Sequence, residues 1–312
     1  MTQMTPYAAR VIDPILTEVA RGYRSPMSPV ANVLFPAVQV GQRGGRIITF
    51  GPDSFKLYNT ARAPGANTKR VQFGYAGIPF ALIDYSLEGA VPIELQQEAN
   101  AVPGIDLGAN AVRRVQDLQA LEKEKQAADL ALTPASYAAS HKLTLAGTAQ
   151  WNDPASDPFT DIMNAKEIIR QEIGVRPNVL VVGPKVLTAL RSHPKVLNRL
   201  STASDRPPAT MAQISALFEL DSIVEGGSTY HDGTNFIDVW GKFALLAYTL
   251  SASMAEMGSP SFGYTYQLIG YPLVEEPYLE RNPKTWYYPV TDARAPVLAG
   301  ASAGFLFTAA VA

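Results

Sequence analysis

The spacing of apolar positions changes along the chain, and each change marks a part. Residues 105–132, IDLGANAVRRVQDLQALEKEKQAADLAL, put Leu107, Ala111, Val115 and Leu118 on one stripe at helical spacing, followed loosely by Leu121, Ala128 and Leu132. Asp106 can cap the start and Pro134 stops the end, so the pattern predicts one helix of roughly 40 Å. Arg113 with Asp117, and Lys125 with Asp129, sit at i,i+4 and add a few tenths of a kcal/mol each. One narrow apolar face and a broad polar remainder suit a helix that bridges parts of a molecule.

Upstream the period falls to two. In KRVQFGYAG (69–77), Val71, Phe73 and Tyr75 alternate with Arg70, Gln72 and Gly74, the signature of a half-buried strand. GGRIITFG (44–51) is the outgoing partner, and IPFALIDYSLEG continues the return. Between them lies a tip, PDSFKLYNTARAPGANT, without a core pattern. A two-stranded hairpin of this length is marginal by itself and needs a surface to dock on. Residues 1–40 carry prolines at 6, 14, 26, 29 and 36, which leave room for only a short helix near Ile15–Gly22. Proline removes a donor and fixes φ, so this arm is expected to be extended and to lie on something else.

Downstream, strands and helices alternate. SHKLTLAGTAQWNDP (140–154) reads as a strand ending in a polar turn. Asp157-Pro158 opens a helix whose buried stripe is Phe159, Ile162, Met163, Ile169 and Ile173, and Gly174 closes it. The run Val179–Val182 is a strand, Gly183-Pro184 a turn into a further helix, and Pro194 lies near the next break. MAQISALFEL (211–220) is a short helix; LDSIVEGG, NFIDVWGKFALLAY and the stretches through Gly304-Phe305-Leu306-Phe307 are strands. Residues 155–250 therefore read as an α/β unit within a mixed α+β chain.

Composition narrows the function. With 312 residues the chain suits two or three folded units, and 47% hydrophobic with 17% charged residues is a globular mix. No apolar run reaches membrane-span length, and the N-terminus lacks a signal-peptide core. The absence of cysteine excludes disulfides, thiolate metal sites and a Cys nucleophile. A net charge of −2 argues against tight nonspecific nucleic-acid binding. The charge is uneven: residues 1–83 hold nine Lys/Arg against three Asp/Glu, and the rest hold 17 against 25. The basic end can be drawn to the acidic part of a neighbouring copy, or it is simply a solvated arm.

Candidate chemistry is sparse. Gly183-Pro184-Lys185 follows a strand, as phosphate loops do, but lacks their glycine spacing; a turn with proline at the first helical position accounts for it. His141, His193 and His231 share no metal-ligand spacing. His231-Asp232 looks like a metal-phosphohydrolase doublet, yet it sits in STYHDGTN, which reads as a hairpin turn. Glu275, Glu276 and Glu280 are read as an acidic surface strand. GQRGGR (41–46) serves as a hairpin base. No catalytic, cofactor-binding or metal-binding residue is assigned.

The order of parts carries more: proline-broken basic arm, long β-hairpin, long bridging helix, α/β unit, closing strands. Trp151-Asn152-Asp153, Ser156-Asp157-Pro158-Phe159, Asp161-Ile162 and PNVLVVGPKVLTALRSHPKV are similar to a run in phage capsid proteins, and SFKLYNTARAPGA (54–66) resembles their flap. The chain thus resembles the major capsid proteins of tailed double-stranded-DNA phages, whose shell fold is shared with encapsulins and herpesvirus capsids. The resemblance implies an N-terminal arm (1–40), an extended loop lying over a neighbour (41–88), and a peripheral domain (89–154) with spine helix 105–132. It further implies an axial domain (155–250) and C-terminal strands (251–312) that return to the peripheral and axial domains.

The function implied is structural: self-assembly into hexamers and pentamers of an icosahedral head enclosing DNA, in the virion, after assembly in the host cytoplasm. Implied partners are other copies of the chain, a separate scaffolding protein, a portal, a decoration protein and weakly held packaged DNA, with no membrane and no cofactor. Phe50, Phe55, Lys56, Arg62, Lys69, Arg70, Val71, Phe73 and Tyr75 are the expected intersubunit contacts. Arg10, Arg21, Arg24, Arg113 and Arg114 are candidates for weak genome contact, against a plain solubility role. Some relatives crosslink a flap lysine to a neighbour's asparagine; Lys56 and Lys69 lie in that region, but the asparagine and the catalytic acid are not identifiable. The alternatives are an encapsulin-type compartment or an α/β enzyme acting on a phosphorylated substrate near Gly183 or His231.

Overall fold

A computed structural model describes residues 30–49, 61–62, 76–100, 106–200, 207–250 and 261–312. The arm up to residue 29, with its expected short helix, and the loop tip apart from residues 61–62 lie outside the described residues.

Two sheets organise the chain. The first contains β5 (Lys142–Thr144), β15 (Gly304–Thr308), β10 (Ala244–Ala247), β6 (Val179–Val182) and β7 (Ser222–Glu225), in that order. β6 and β10 are buried at every position, which is why their sequences are continuous apolar runs rather than alternating ones. Four helices accompany this sheet: α4 (Pro158–Ile173), α5 (Pro184–Ser192), α6 (Pro194–Leu200) and α7 (Met211–Phe218). α4 starts where the sequence indicates. Asp157 accepts the Thr160 N–H, Pro158 fills the first helical position, and Gly174 ends the helix at φ 73°. Thr210 and Gln213 form a reciprocal capping box on α7.

The second sheet is built around β14 (Thr285–Leu298). Along one edge β14 pairs in turn with β11 (Gly263–Leu268), β12 (Leu273–Val274) and β13 (Tyr278–Glu280). β4 (Ile83–Pro92) takes the opposite edge, since Val290 faces both Val274 and Leu87. β1 (Ala37–Val40) joins β11 in parallel. The spine helix, α3 (Leu107–Ala131), is capped by Asp106 and packs Val112 and Val115 against Val91, Val274, Tyr288 and Val290. Farther along, Ala127, Ala128 and Ala131 enter the core of the first sheet. One helix thus joins both cores, as its narrow apolar face predicted.

Three expectations change. Leu118 is 56% exposed rather than part of the buried stripe, because the helix turns Val112, Val115 and Gln119 to the sheet instead. Residues 140–154 yield a strand only at Lys142–Thr144; Gly147 at φ 56° opens a 3-10 turn that stops it. Residues 30–40 find the surface they need on their own body. α1 (Val30–Leu34) is helical rather than extended, and β1 completes the second sheet.

Candidate assembly surface

The extended loop begins as a ribbon of β2 (Gly44–Thr49) and β3 (Ala76–Ala81), antiparallel from Gly44↔Ala81 to Thr49↔Ala76. This ribbon pairs with neither large sheet. Its root is fixed. Arg43 places Nη1 2.7 Å from both carboxylate oxygens of Asp84 and donates Nη2–H to Tyr271 Oη at 3.2 Å. Phe80 stacks on Tyr266 with centroids 4.4 Å apart. Leu82 is buried at the point where the chain leaves the ribbon, so β4 continues the return strand in sequence but belongs to the β14 sheet.

Of the expected intersubunit residues, Arg62 is described and exposed. Phe50, Phe55, Lys56, Lys69, Arg70, Val71, Phe73 and Tyr75 lie outside the described residues, as do Arg10, Arg21 and Arg24. Arg113 and Arg114 are exposed on the spine helix, where Arg113 donates to Asn110 Oδ1 at 3.0 Å. Ile83 and Leu87 on β4 and Leu118 on the spine helix are exposed apolar side chains. Residues 83–100 also carry Asp84, Glu88, Glu94 and Glu98 and no Lys or Arg.

The positions weighed for enzyme chemistry have structural occupations. A Cβ on Gly183 would meet Gly241 O at 1.9 Å, and the Gly183 N–H donates to Phe243 O, so this turn is filled by backbone. His231 and Asp232 form the turn between β8 (Thr229–His231) and β9 (Phe236–Asp238). Asp232 Oδ1 accepts the N–H groups of Thr234 and Asn235, and His231 Nδ1 accepts that of Gly233. His193 is buried between Ser156 Oγ and Asp153 O, both 3.1 Å from Nε2, and its Nδ1 accepts the Lys195 N–H. His141 Nε2 lies 3.2 Å from Glu172 Oε2. Among the described residues no three His, Asp or Glu side chains are placed to hold a metal, and no helix is long and apolar enough to cross a membrane.

Buried charges were not foreseen. Arg294, 2% exposed, donates to Asp292 Oδ2 (2.9 Å), Gln119 O (3.2 Å) and Glu122 Oε2 (3.4 Å), and stacks over the Tyr85 ring. Lys166 points its ammonium at Phe218 O (2.5 Å) and Glu219 O (3.1 Å), closing the end of α7; burial pushes its pKa down. Trp151 donates to Asp161 Oδ2 at 2.9 Å, and burial raises that carboxyl. Glu124, in the middle of the spine helix, accepts three N–H groups. The available signal was its place four and seven residues before Ala128 and Ala131, on the buried face.

Two sheets joined by one long helix, with a ribbon leaving the body, make up a fold shared with known shell proteins. It is found in the mature capsid of bacteriophage PhiM1 (TM-score 0.53, 14% identity, covering 92% of this chain and 88% of that one). It is found also in the holo encapsulin complex of Synechococcus elongatus (TM-score 0.52, 10% identity, covering 95% and 94%). These likenesses show the fold alone. The family model for phage major capsid protein E matches residues 136–239. A phage-related protein of Bordetella bronchiseptica RB50, known from a crystal structure, is 45% identical with a TM-score of 0.81, covering 97% of this chain and 98% of that one. The major capsid protein of Burkholderia phage BcepMu is 34% identical over 304 residues, 96% of each chain. The chain belongs to the phage major capsid proteins, the structural proteins that form the icosahedral shell of the virion.

Proposed function

We propose that this chain builds its shell from hexamers and pentamers, with the loop of residues 41–88 laid over a neighbouring copy. The observation that carries this reading is the β2–β3 ribbon: it is rooted firmly on the second sheet yet pairs with neither sheet of its own subunit. A ribbon of that kind is marginal alone and gains stability by covering another surface. Phe50, Phe55, Val71, Phe73 and Tyr75 supply apolar contact, and Lys56, Arg62, Lys69 and Arg70 supply charge. The receiving surface in this reading draws on the exposed Ile83, Leu87 and Leu118 and on Asp84, Glu88, Glu94 and Glu98. Charge pairs at such a wet rim are individually weak but steer docking. Contacts that close on rotation give rings, and tiled rings give a shell.

The activity is assembly, without catalysis. A separate scaffolding protein and a portal take part, a decoration protein is a further partner, and assembly takes place in the host cytoplasm. Arg10, Arg21, Arg24, Arg113 and Arg114 make weak contact with packaged double-stranded DNA. The near-neutral net charge fits a wall that does not hold its cargo by counterion release. Negative-stain microscopy of the concentrated purified protein tests the reading. Icosahedral particles or ring-shaped hexamers are expected; a monomer that persists at high concentration with scaffolding protein added would overturn it.

A further inference from the structure

Glu124 is 2% exposed, and its carboxylate meets three N–H groups from two segments. Oε1 accepts the Val30 N–H (3.1 Å) and the Trp240 indole N–H (2.7 Å), and Oε2 accepts the Ala31 N–H (2.9 Å). Val30 and Ala31 open α1, near the C-terminal end of the arm (1–40), and Trp240 lies just before β10 of the first sheet. The adjacent Lys123 donates to Asn32 Oδ1 at 2.7 Å, so two successive spine residues grip α1.

All three partners of the carboxylate are donors. Ionised, it satisfies them together. Protonated, it carries an O–H of its own, and none of these partners can accept it. A proton there opposes the contact chemically as well as weakening it. Among the described residues the charged surroundings are few. Lys123 and Lys125 flank Glu124 on its own helix, with Lys125 lying over the Tyr230 ring; α1 brings no titratable side chain; Trp240 stands between Asp238 and Lys242 in sequence. Burial is the largest influence on the carboxyl and pushes it above the usual carboxylate range, against the pull of the three N–H groups and Lys123.

We propose that Glu124 is a proton-operated clasp: ionised, it holds α1 and the Trp240 segment to the spine helix, and protonated, it lets the root of the arm go. Release of residues 30–36 would lengthen the reach of the arm by roughly 23 Å of extended chain. The inference stands on contacts within one subunit and is independent of how shells close.

Hydrogen exchange of the unassembled full-length subunit tests it. After correction for intrinsic exchange, a peptide covering residues 30–35 should lose protection by about tenfold or more between pH 7.5 and pH 5. Peptides from β10 should keep theirs. Glu124→Gln places an NH₂ donor among donors, so its 30–35 peptide should be weakly protected at both pH values. Equal protection of the unaltered chain at both pH values, or a Glu124→Gln variant that behaves like it, overturns the clasp. Should that variant fail to fold, the Trp240 indole N–H resonance of the unaltered chain decides. A shift between pH 7.5 and 5 supports the proposal, and an invariant resonance overturns it.

Discussion

A Cβ on Gly183 would stand 1.9 Å from the carbonyl oxygen of Gly241. The turn after β6 is therefore glycine because the backbone of the turn before β10 fills the space a side chain would take. Gly183→Ala is expected to destabilise the subunit by about 3 kcal/mol, as overpacking against rigid backbone does. Lys185→Ala, at an exposed position, should stay within about 0.5 kcal/mol. Urea unfolding of the unassembled subunit measures both. A Gly183→Ala protein of unchanged stability would reopen the ligand reading of this turn.

Arg294 ties β14 to the spine helix through Gln119 and Glu122, pairs with Asp292 of its own strand and lies on Tyr85. Arg294→Ala leaves the buried Asp292 without its cation and should cost about 3–5 kcal/mol. Arg294→Lys keeps the charge but loses the fork and the stacking, and should recover only part of that loss. Denaturant midpoints of the two variants give the comparison, and equal midpoints for Lys and Arg would contradict it.

Asp157 caps α4 through the Thr160 N–H (3.3 Å) and hydroxyl (3.0 Å), with Arg199 at 3.4 Å. Burial, the largest single influence, raises its pKa, but the Thr160 bonds with Arg199 and Lys195 outweigh it and leave the carboxyl below the usual range. A carboxyl lowered on folding contributes stability that is complete above its unfolded pKa and lost as pH falls through the folded one. Asp157→Ala should cost about 1 kcal/mol at neutral pH. The gap between the two proteins should close as the pH drops below about 4. A gap that stays constant into acid would place the effect elsewhere.

Deleting residues 53–68 should leave a soluble subunit with its far-UV spectrum intact and block closed shells. Replacing Lys56, Arg62, Lys69 and Arg70 by Gln should slow assembly at low salt and flatten its salt dependence, since rim charges act chiefly on encounter. Light scattering follows the rate, and microscopy the product. Normal shells from the deletion would move the intersubunit clamp away from this loop.

Local signals were legible wherever backbone chemistry is local. Asp157-Pro158 and Gly174 bound α4, Asp106 starts the spine helix, Val179–Val182 is a buried strand, and His231-Asp232 is a turn. What sequence did not disclose depends on distant partners. The two leucines Leu107 and Leu118 look alike in the stripe, yet the sheet beneath selects Val112 and Val115 and leaves Leu118 in solvent. Glu124 reads as one more charge on a polar helix until Val30, Ala31 and Trp240 are seen to converge on it. Of the residues expected to contact neighbours, Arg62 is exposed and the others lie outside the described residues; of those expected to meet the genome, Arg113 and Arg114 are exposed.

β15 lies inside the first sheet, antiparallel to β10 and parallel to β5, and Leu306 and Phe307 are buried there. A ribosome must therefore pass residue 308 before that sheet can close. Until then the nascent subunit keeps β10 unsealed, and abortive fragments lack a finished core. Synthesis through β15 is thus a precondition for a finished core, enforced by chain topology without any separate inspector.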